Sequence, residues 1–248
     1  MTGNHLLDTM AAADRERLLT RVKRVAFGQG ETLAEAGAHV AKVWFPVSGV
    51  VSLVSPFEDG SAVEVASIGR EGAVGALAAC GAGVSSMRAM AKHPGEAWVV
   101  DARTFCSVHD GSASLRRTIA HYSEVILTEA RQEIACRTRH STDARLARTL
   151  LEHSDRSGTD ALPMSQELLS SLVGIQRTTV NAAARTLKAS GAIRYSRGVI
   201  EVASRARLEG QACECYAAMR AFRNAMTRPE PDEAGNDDGP QTRDASRA

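Results

Sequence analysis

Residues 162–187, LPMSQELLSSLVGIQRTTVNAAARTL, decide how this chain is read. Ser165 is placed to cap a helix by accepting a bond from an otherwise unpaired backbone N–H, and Leu168, Leu169, Leu172 and Val173 then follow at helical spacing. Gly174 stops that helix, because glycine enters the left-handed region without a Cβ penalty and lets the chain turn sharply. In the second helix Val180, Ala183, Ala184 and Leu187 form an inward face. Gln176, Arg177, Thr178, Asn181 and Arg185 hold long or polar side chains at its start and on its outer side. This is the pattern of a helix-turn-helix, whose second helix offers its N-terminal residues to base edges in a DNA major groove. Any two amphipathic helices joined through a glycine give a similar string, so the flanking sequence has to be weighed with it.

Downstream, residues 193–202 (IRYSRGVIEV) are two short β-prone runs around an Arg197-Gly198 turn, the shape of a wing. From Leu162 to Arg207 the basic residues are Arg177, Arg185, Lys188, Arg194, Arg197, Arg205 and Arg207, against Glu167 and Glu201 alone. That segment carries five excess positive charges in a chain whose formal net charge is +1. Cationic surface concentrated in one module is what phosphate binding needs.

The 248 residues suffice for two domains, each burying its own core. No run approaches the length a membrane span requires, and the N-terminus lacks the layout of a secretory signal, so a cytoplasmic protein that does not engage membranes is expected. Cys80, Cys106, Cys136, Cys213 and Cys215 form an odd, scattered set, which argues against a disulfide framework.

Residues 4–25 read as one short helix with Asp14 as a cap in its middle. Short strands separated by turn residues follow, including 43–45, 50–54 and 62–66, with a hairpin turn at Asp59-Gly60 and closing strands at 87–91 and 97–100; they indicate an antiparallel β-barrel of jelly-roll type. The β domain is expected to end near Phe105. Between its strands, residues 68–77 hold three glycines whose backbone N–H groups could converge on an anion, although such turns are more often plain turns. Leu115 to His140 reads as a long helix with Leu115, Ile119, Tyr122 and Ile126 spaced by four and three. A seam of that period packs against a partner helix, and the plain alternative is that it covers the barrel. Glu129 and Glu133 continue the spacing in polar form, as suits a stretch diverging from its partner, and this favours dimerisation. A helix begins at Ser141, and another runs from after Ala203 through Phe222. The expected organisation is a β-barrel domain over 1–110, a dimerisation helix over 111–140, a winged helix-turn-helix over 141–226 and a disordered tail over 227–248.

A β-barrel, a long helix and a winged helix-turn-helix in this order resemble the Crp/Fnr family of bacterial transcription regulators, from about residue 4 to 216. The similarity is carried by residues 44–53 (WFPVSGVVSL), 65–72 (VASIGREG), 144–148 (ARLAR) and 212–216 (ACECY). It implies an α+β protein with a cyclic-nucleotide-binding-like sensor domain, acting as a homodimer on palindromic double-stranded DNA, with RNA polymerase as a further partner. The candidate effector pocket is Gly69, Arg70, Gly72, Gly75, Leu77, Ser85, Ser86 and Arg88: the glycine-rich turn, the places that match the family's phosphate cassette, and two nearby cations whose plain alternative is the surface. Where cyclic-AMP-binding members carry a glutamate and an Arg-Ser pair, this chain has Gly75-Ala76 and the neutral run 83–86. A buried cyclic phosphate without a cationic partner is poorly compensated. An effector other than cyclic AMP, or none, is therefore expected.

No cysteine precedes Cys80, so the thiolates of an N-terminal iron–sulfur cluster are missing. Cys213 and Cys215 alone leave a tetrahedral metal site half-filled, and the spacing of His39, His93 and His121 does not ask for haem, so no metal and no cofactor are expected. By the resemblance Arg177 matches a position that often reads guanine, through bidentate bonds to O6 and N7. Thr178 stands where many members have glutamate and Ala182 where they have arginine, which points to an operator of different sequence. Ser165, Thr179 and Arg185, with Arg197 on the wing, would hold phosphates.

A second reading is a constitutive DNA binder whose barrel senses nothing. A more distant one is a barrel-type metalloenzyme, but the seven histidines contain no closely spaced pair and no nucleophile signature is present, so no catalytic residue is assigned and the chain is not expected to be an enzyme.

Overall fold

The computed structural model describes residues 1–58 and 62–226. The expected hairpin turn at Asp59-Gly60 and the tail beyond residue 226 lie outside the described residues.

The entry segment divides where one helix was expected. Helices α1 (His5–Thr9) and α2 (Ala12–Leu19) are separated at Met10, and β1 (Lys23–Phe27) begins before the expected helix end. The break follows from anchoring. Asn4 caps α1 through the Leu7 N–H and also donates to the Pro46 and Gly72 carbonyls at 2.8 and 2.9 Å, which ties this end of the chain to the β domain. Asp14 caps nothing; it is buried and accepts a 2.7 Å bond from the Ser112 hydroxyl.

After β1 come β2 (Thr32–Ala34), β3 (Lys42–Pro46), β4 (Val50–Pro56), β5 (Ala62–Ile68), a short helix α3 (Ala76–Cys80), β6 (Arg88–His93) and β7 (Gly95–Asp101). They form two antiparallel sheets, ordered β1-β7-β3 and β2-β6-β4-β5, rather than one closed barrel. Phe27, Trp44, Ala97 and Val99 from the first meet Val51, Ile68, Ala89 and Ala91 from the second in a shared core. The last strand ends at Asp101, close to the expected limit near Phe105, and helices then cover the domain. Helix α4 (Ala102–Gly111), capped by Asp101, buries Phe105 against Phe45 with ring centroids 5.9 Å apart, and α5 (Ala113–Arg139) closes the same core. Burying side chains of this size stabilises the fold by about 1.5–3 kcal/mol each.

The C-terminal module comprises α6 (Thr142–Ser157), β8 (Ala161–Pro163), α7 (Gln166–Val173), α8 (Arg177–Ala189), β9 (Ile193–Ser196), β10 (Val199–Val202), α9 (Arg205–Glu209) and α10 (Cys215–Met226). Ser141 caps α6 as its sequence suggests. The final helix is two: α9, capped by Ser204, ends at Gly210 and the chain turns before α10. Leu146, Leu150, Leu151, Leu162, Leu169, Val180 and Leu187 share one core with Ile193 and Ile200 of the wing.

The two modules meet over a buried polar seam. Arg156 of α6 binds Glu71 at 3.2 Å, Glu129 at 3.3 Å and Glu152 at 3.6 Å, and Arg148 pairs with Glu133 and Glu152. Glu129 and Glu133 lie in this seam and hold the C-terminal module to α5. Beside them Lys92 pairs with Glu64, which also accepts from Ser52 and Ser67, and the ring of His93 meets that of His153. Buried charge tolerates such a position only when paired and hydrogen-bonded.

Candidate nucleic-acid interface

Helix α7 starts at Ser165, whose hydroxyl accepts from the Leu168 N–H at 3.1 Å, and stops at Gly174, where φ is 66°. Helix α8 then buries Val180, Ala183, Ala184 and Leu187, as the spacing requires. Its other side is open. Gln176, Arg177, Thr178, Thr179, Arg185 and Lys188 are exposed, and Arg177, Asn181, Arg185 and Lys188 recur at helical spacing on that side. Asn181 departs from the expected role: it is half-buried and donates to Gln166 Oε1 at 3.1 Å, fixing α8 against α7.

The wing pairs β9 with β10, and β10 also pairs with β8, a strand not anticipated because three residues carry no alternation to recognise. Its tip has φ of 48° at Arg197 and 78° at Gly198, the paired left-handed residues of a tight hairpin turn. Glycine takes this conformation freely and arginine does not. A strained arginine at an exposed tip is consistent with a contact made there.

The charge of the module divides into two uses. Arg194 pairs with Glu201, and Arg205 with Asp155 and Glu209, while Arg207 donates to the Ser190 carbonyl. Among the described residues Arg177, Arg185, Lys188 and Arg197 make no ion pair. The exposed cations of the module that are engaged with no partner in the protein lie, among the described residues, on the open side of α8 and at the wing tip.

At residues 69–74 five of the six backbone N–H groups are already engaged within the protein. The N–H of Gly69 goes to Glu71 Oε1 at 3.0 Å, that of Arg70 to the Arg156 carbonyl, that of Gly72 to the Gly69 carbonyl, that of Ala73 to the Tyr122 hydroxyl and that of Val74 to Trp44. A carboxylate already occupies the turn. Its glycines serve close packing instead: a Cβ on Gly69 would lie 2.6 Å from the Arg156 carbonyl oxygen, and one on Gly72 2.5 Å from the Tyr122 hydroxyl. Gly75 holds φ at 85° to cap α3, which carries Leu77. Ser85 donates to the Met87 carbonyl, Ser86 is exposed, and Arg88 pairs with Glu35 at 2.8 Å.

The expected dimer seam is likewise corrected. Leu115, Ile119 and Tyr122 are buried in the chain's own core, with Ile126 packed against it. Among the exposed residues of α5, Ala120, Ser123, Leu127, Ala130 and Ile134 share one stripe, with Leu127 44% and Ile134 68% exposed. Its spacing of three and four is that of a coiled-coil seam, one residue out of phase with the expected one. The recurrence of Ala120, Leu127 and Ile134 every seven residues was the available signal, obscured because two of the five are alanine and one is serine.

The cyclic nucleotide-binding domain family matches residues 24–129, and the Crp-like helix-turn-helix domain family matches residues 144–210. This chain belongs to the Crp/Fnr family. Solved structures of low sequence identity share the fold of this Crp/Fnr protein. FixK2 from Bradyrhizobium japonicum is 18% identical with a TM-score of 0.65, over 77% of this chain and 98% of its own. The c-di-GMP-responsive regulator CLP of Xanthomonas campestris is 16% identical with a TM-score of 0.62, over 78% of this chain and 100% of its own. A cAMP-binding regulatory protein, so described, from Silicibacter pomeroyi is 20% identical with a TM-score of 0.64, over 85% and 95%. No curated protein matches the chain in sequence. The protein is a DNA-binding transcription regulator of the Crp/Fnr type. Among the described residues no helix is long and apolar enough to cross a membrane.

Proposed function

We propose that this Crp/Fnr regulator acts as a homodimer on palindromic duplex DNA, with α8 in the major groove and Arg197 on flanking phosphate. The observation that carries the reading is the set of exposed cations Arg177, Arg185, Lys188 and Arg197, which have no ion pair while the module's other arginines are engaged within the fold. Arg177, at the first turn of α8, reads a base, and Arg185 and Arg197 position the helix. Two chains pair through Ala120, Ser123, Leu127, Ala130 and Ile134. On a two-fold axis this stripe packs on its own copy, and the small residues let the helices approach.

The effector is something other than cyclic AMP, or none. The turn at residues 69–74 supports this: the N–H groups of Gly69, Arg70, Gly72, Ala73 and Val74 are bonded within the protein, and Glu71 brings a carboxylate onto the turn. RNA polymerase is the further partner. Selection from a random duplex library at near-physiological salt, using protein without added ligand, tests the reading. Enrichment of one palindrome by a protein that sediments as a dimer is the expected result. Enrichment of a single unrepeated site by a monomer would overturn the dimeric part, and a folded protein that enriches no site with or without nucleotide effectors would overturn the whole.

A further inference from the structure

Cys136, His140, Cys213 and Cys215 come together at the junction of α5 and α10, with their four ligand atoms all within 4.8 Å of one another. In sequence the two pairs are separated by the whole DNA-binding module. Cys213 and Cys215 supply two thiolates, and folding adds a third thiolate from the last turns of α5 and an imidazole from the residue that ends it.

The end of α5 brings two ligands together. Cys136 lies in the last turns of α5, and His140, the extended residue that ends the helix, still donates its N–H to the Cys136 carbonyl at 3.1 Å, which keeps the two residues together. Cys215 opens α10, and the Cys213 N–H points at the Ala144 carbonyl, which fixes the short link before that helix. Cys136 Sγ lies 3.5 Å from Cys213 Sγ, and Cys215 Sγ lies 3.6 Å from His140 Nδ1. A tetrahedral Zn²⁺ with bonds of about 2.3 Å to sulfur and 2.0–2.1 Å to nitrogen places neighbouring ligand atoms roughly 3.3–3.8 Å apart. The spacing suits one ion; a multi-iron cage would need its thiolates further apart.

The surroundings are those of a metal site. His140 presents Nδ1 to the cluster, and its other nitrogen, Nε2, is 3.0 Å from Glu214 Oε1, the carboxylate–imidazole pairing that orients a metal-bound histidine. Gln132 donates to Cys215 Sγ at 3.0 Å, one turn before Cys136. The three cysteines are buried with Ala144 packed on them, so the thiolates are shielded, while half-buried His140 and exposed Glu214 border solvent and leave an entry path.

We propose that Cys136, His140, Cys213 and Cys215 bind a single Zn²⁺-type ion in a closed Cys₃His site. The ion fastens the end of α5 to the start of α10, and so sets how the DNA-binding module hangs from the sensor domain. The site has no open position for a substrate, and its part is structural.

The test uses the full chain purified under reducing conditions, with metal content measured and Zn²⁺ then exchanged for Co²⁺. The expected result is one ion per chain, with the visible bands of tetrahedral cobalt and thiolate-to-cobalt charge transfer. Cys213→Ser and His140→Ala lose those bands, whereas His140→Cys keeps them with stronger charge transfer. Glu214→Gln, at an exposed position, folds normally and binds about 10–100-fold more weakly. A folded, reduced chain with five titratable thiols and no tetrahedral cobalt spectrum would overturn the proposal. So would metal binding indifferent to these substitutions, or a Cys136–Cys213 disulfide formed in preference to metal binding. DNA binding enters none of these measurements, so the outcome is independent of the proposed operator recognition.

Discussion

The ring of His93 on β6 meets the ring of His153 on α6 edge to face, with centroids 6.0 Å apart. Neither nitrogen of His93, nor Nδ1 of His153, has a hydrogen-bond partner among the described residues. The contact joins the β domain to the DNA-binding module at a place where both imidazoles are held uncharged. Burial, then the charge of Lys92, lowers His93 to about 4 against a counteracting Glu64. Burial again, with Lys92, Arg156 and His93, holds His153 well below the ordinary histidine range.

The pH dependence follows from that pair. An unfolded histidine takes up its proton near pH 6.5, so between about 6.5 and 4 the unfolded chain binds more protons than the folded one. Stability falls as pH is lowered through this window. His153→Gln flattens the fall, measured by denaturant unfolding at a series of pH values. An unchanged slope would place the titrating groups elsewhere.

Gly69→Ala pushes a methyl group against the Arg156 backbone, which cannot swing aside as a flexible side chain would. Overpacking of this kind costs about 1–3 kcal/mol, and Tm falls by roughly 2–4 °C per kcal/mol in a chain of this size. Thermal unfolding together with proteolysis of the 140–160 segment reports it; a wild-type Tm would show that the modules separate freely.

Tyr122→Phe removes the hydroxyl that both accepts from the Ala73 N–H and donates to the Ala73 carbonyl at 3.1 Å. Two buried backbone groups lose their partner, with an expected loss of about 1–3 kcal/mol in denaturant unfolding. A loss below half a kcal/mol, on the order of surface substitutions, would mean that water replaces the hydroxyl.

Charge on the α5 face separates the two uses of that helix. Leu127→Glu or Ile134→Glu leaves a folded monomer in sedimentation, because those side chains are exposed within the chain. Ile119→Glu instead unfolds the sensor domain, since Ile119 lies in its core. A dimer that survives both exposed-face substitutions would move the interface to another surface.

On DNA, Arg177→Ala costs about 1–3 kcal/mol and relaxes the preference at one base, while Arg185→Ala weakens all sequences evenly. Arg197→Asn has the opposite sign for folding and for binding. It relieves roughly 1 kcal/mol of left-handed strain at the wing tip and lowers affinity with a shallower salt dependence. Equal specificity profiles for all three variants would remove α8 from the major groove.

The helix-turn-helix and wing were legible in sequence because their signals are local: a capping serine, a glycine at a left-handed stop, and apolar residues at the helical period. The strands of the β domain were legible for the same reason, between their turn residues. Leu115, Ile119 and Tyr122 were read as a free seam because α5 carries two interleaved apolar periods, and spacing alone does not say which one the chain's own core takes. In α5 the larger side chains Leu115, Ile119 and Tyr122 belong to the chain's own core, while alanines and a serine occupy much of the free face. The effector residues combined a glycine-rich turn with positions placed by similarity, and only the hydrogen bonds of the folded chain show that most N–H groups of residues 69–74 are engaged within it.

The amino-acid sequence by itself determined the order of elements, the class of fold and the chemistry offered to DNA, since these depend on neighbours within a few residues along the chain. Tertiary structure decided which charges are spent and which remain. Arg156 and Arg148 meet glutamates contributed by distant elements, whereas Arg177 and Arg185 meet none among the described residues. It also decided that Cys136 and His140 stand beside Cys213 and Cys215. Pairing of that kind is set by how α5, α6 and α10 pack, and no spacing along the chain encodes a distance between residues that only packing brings together.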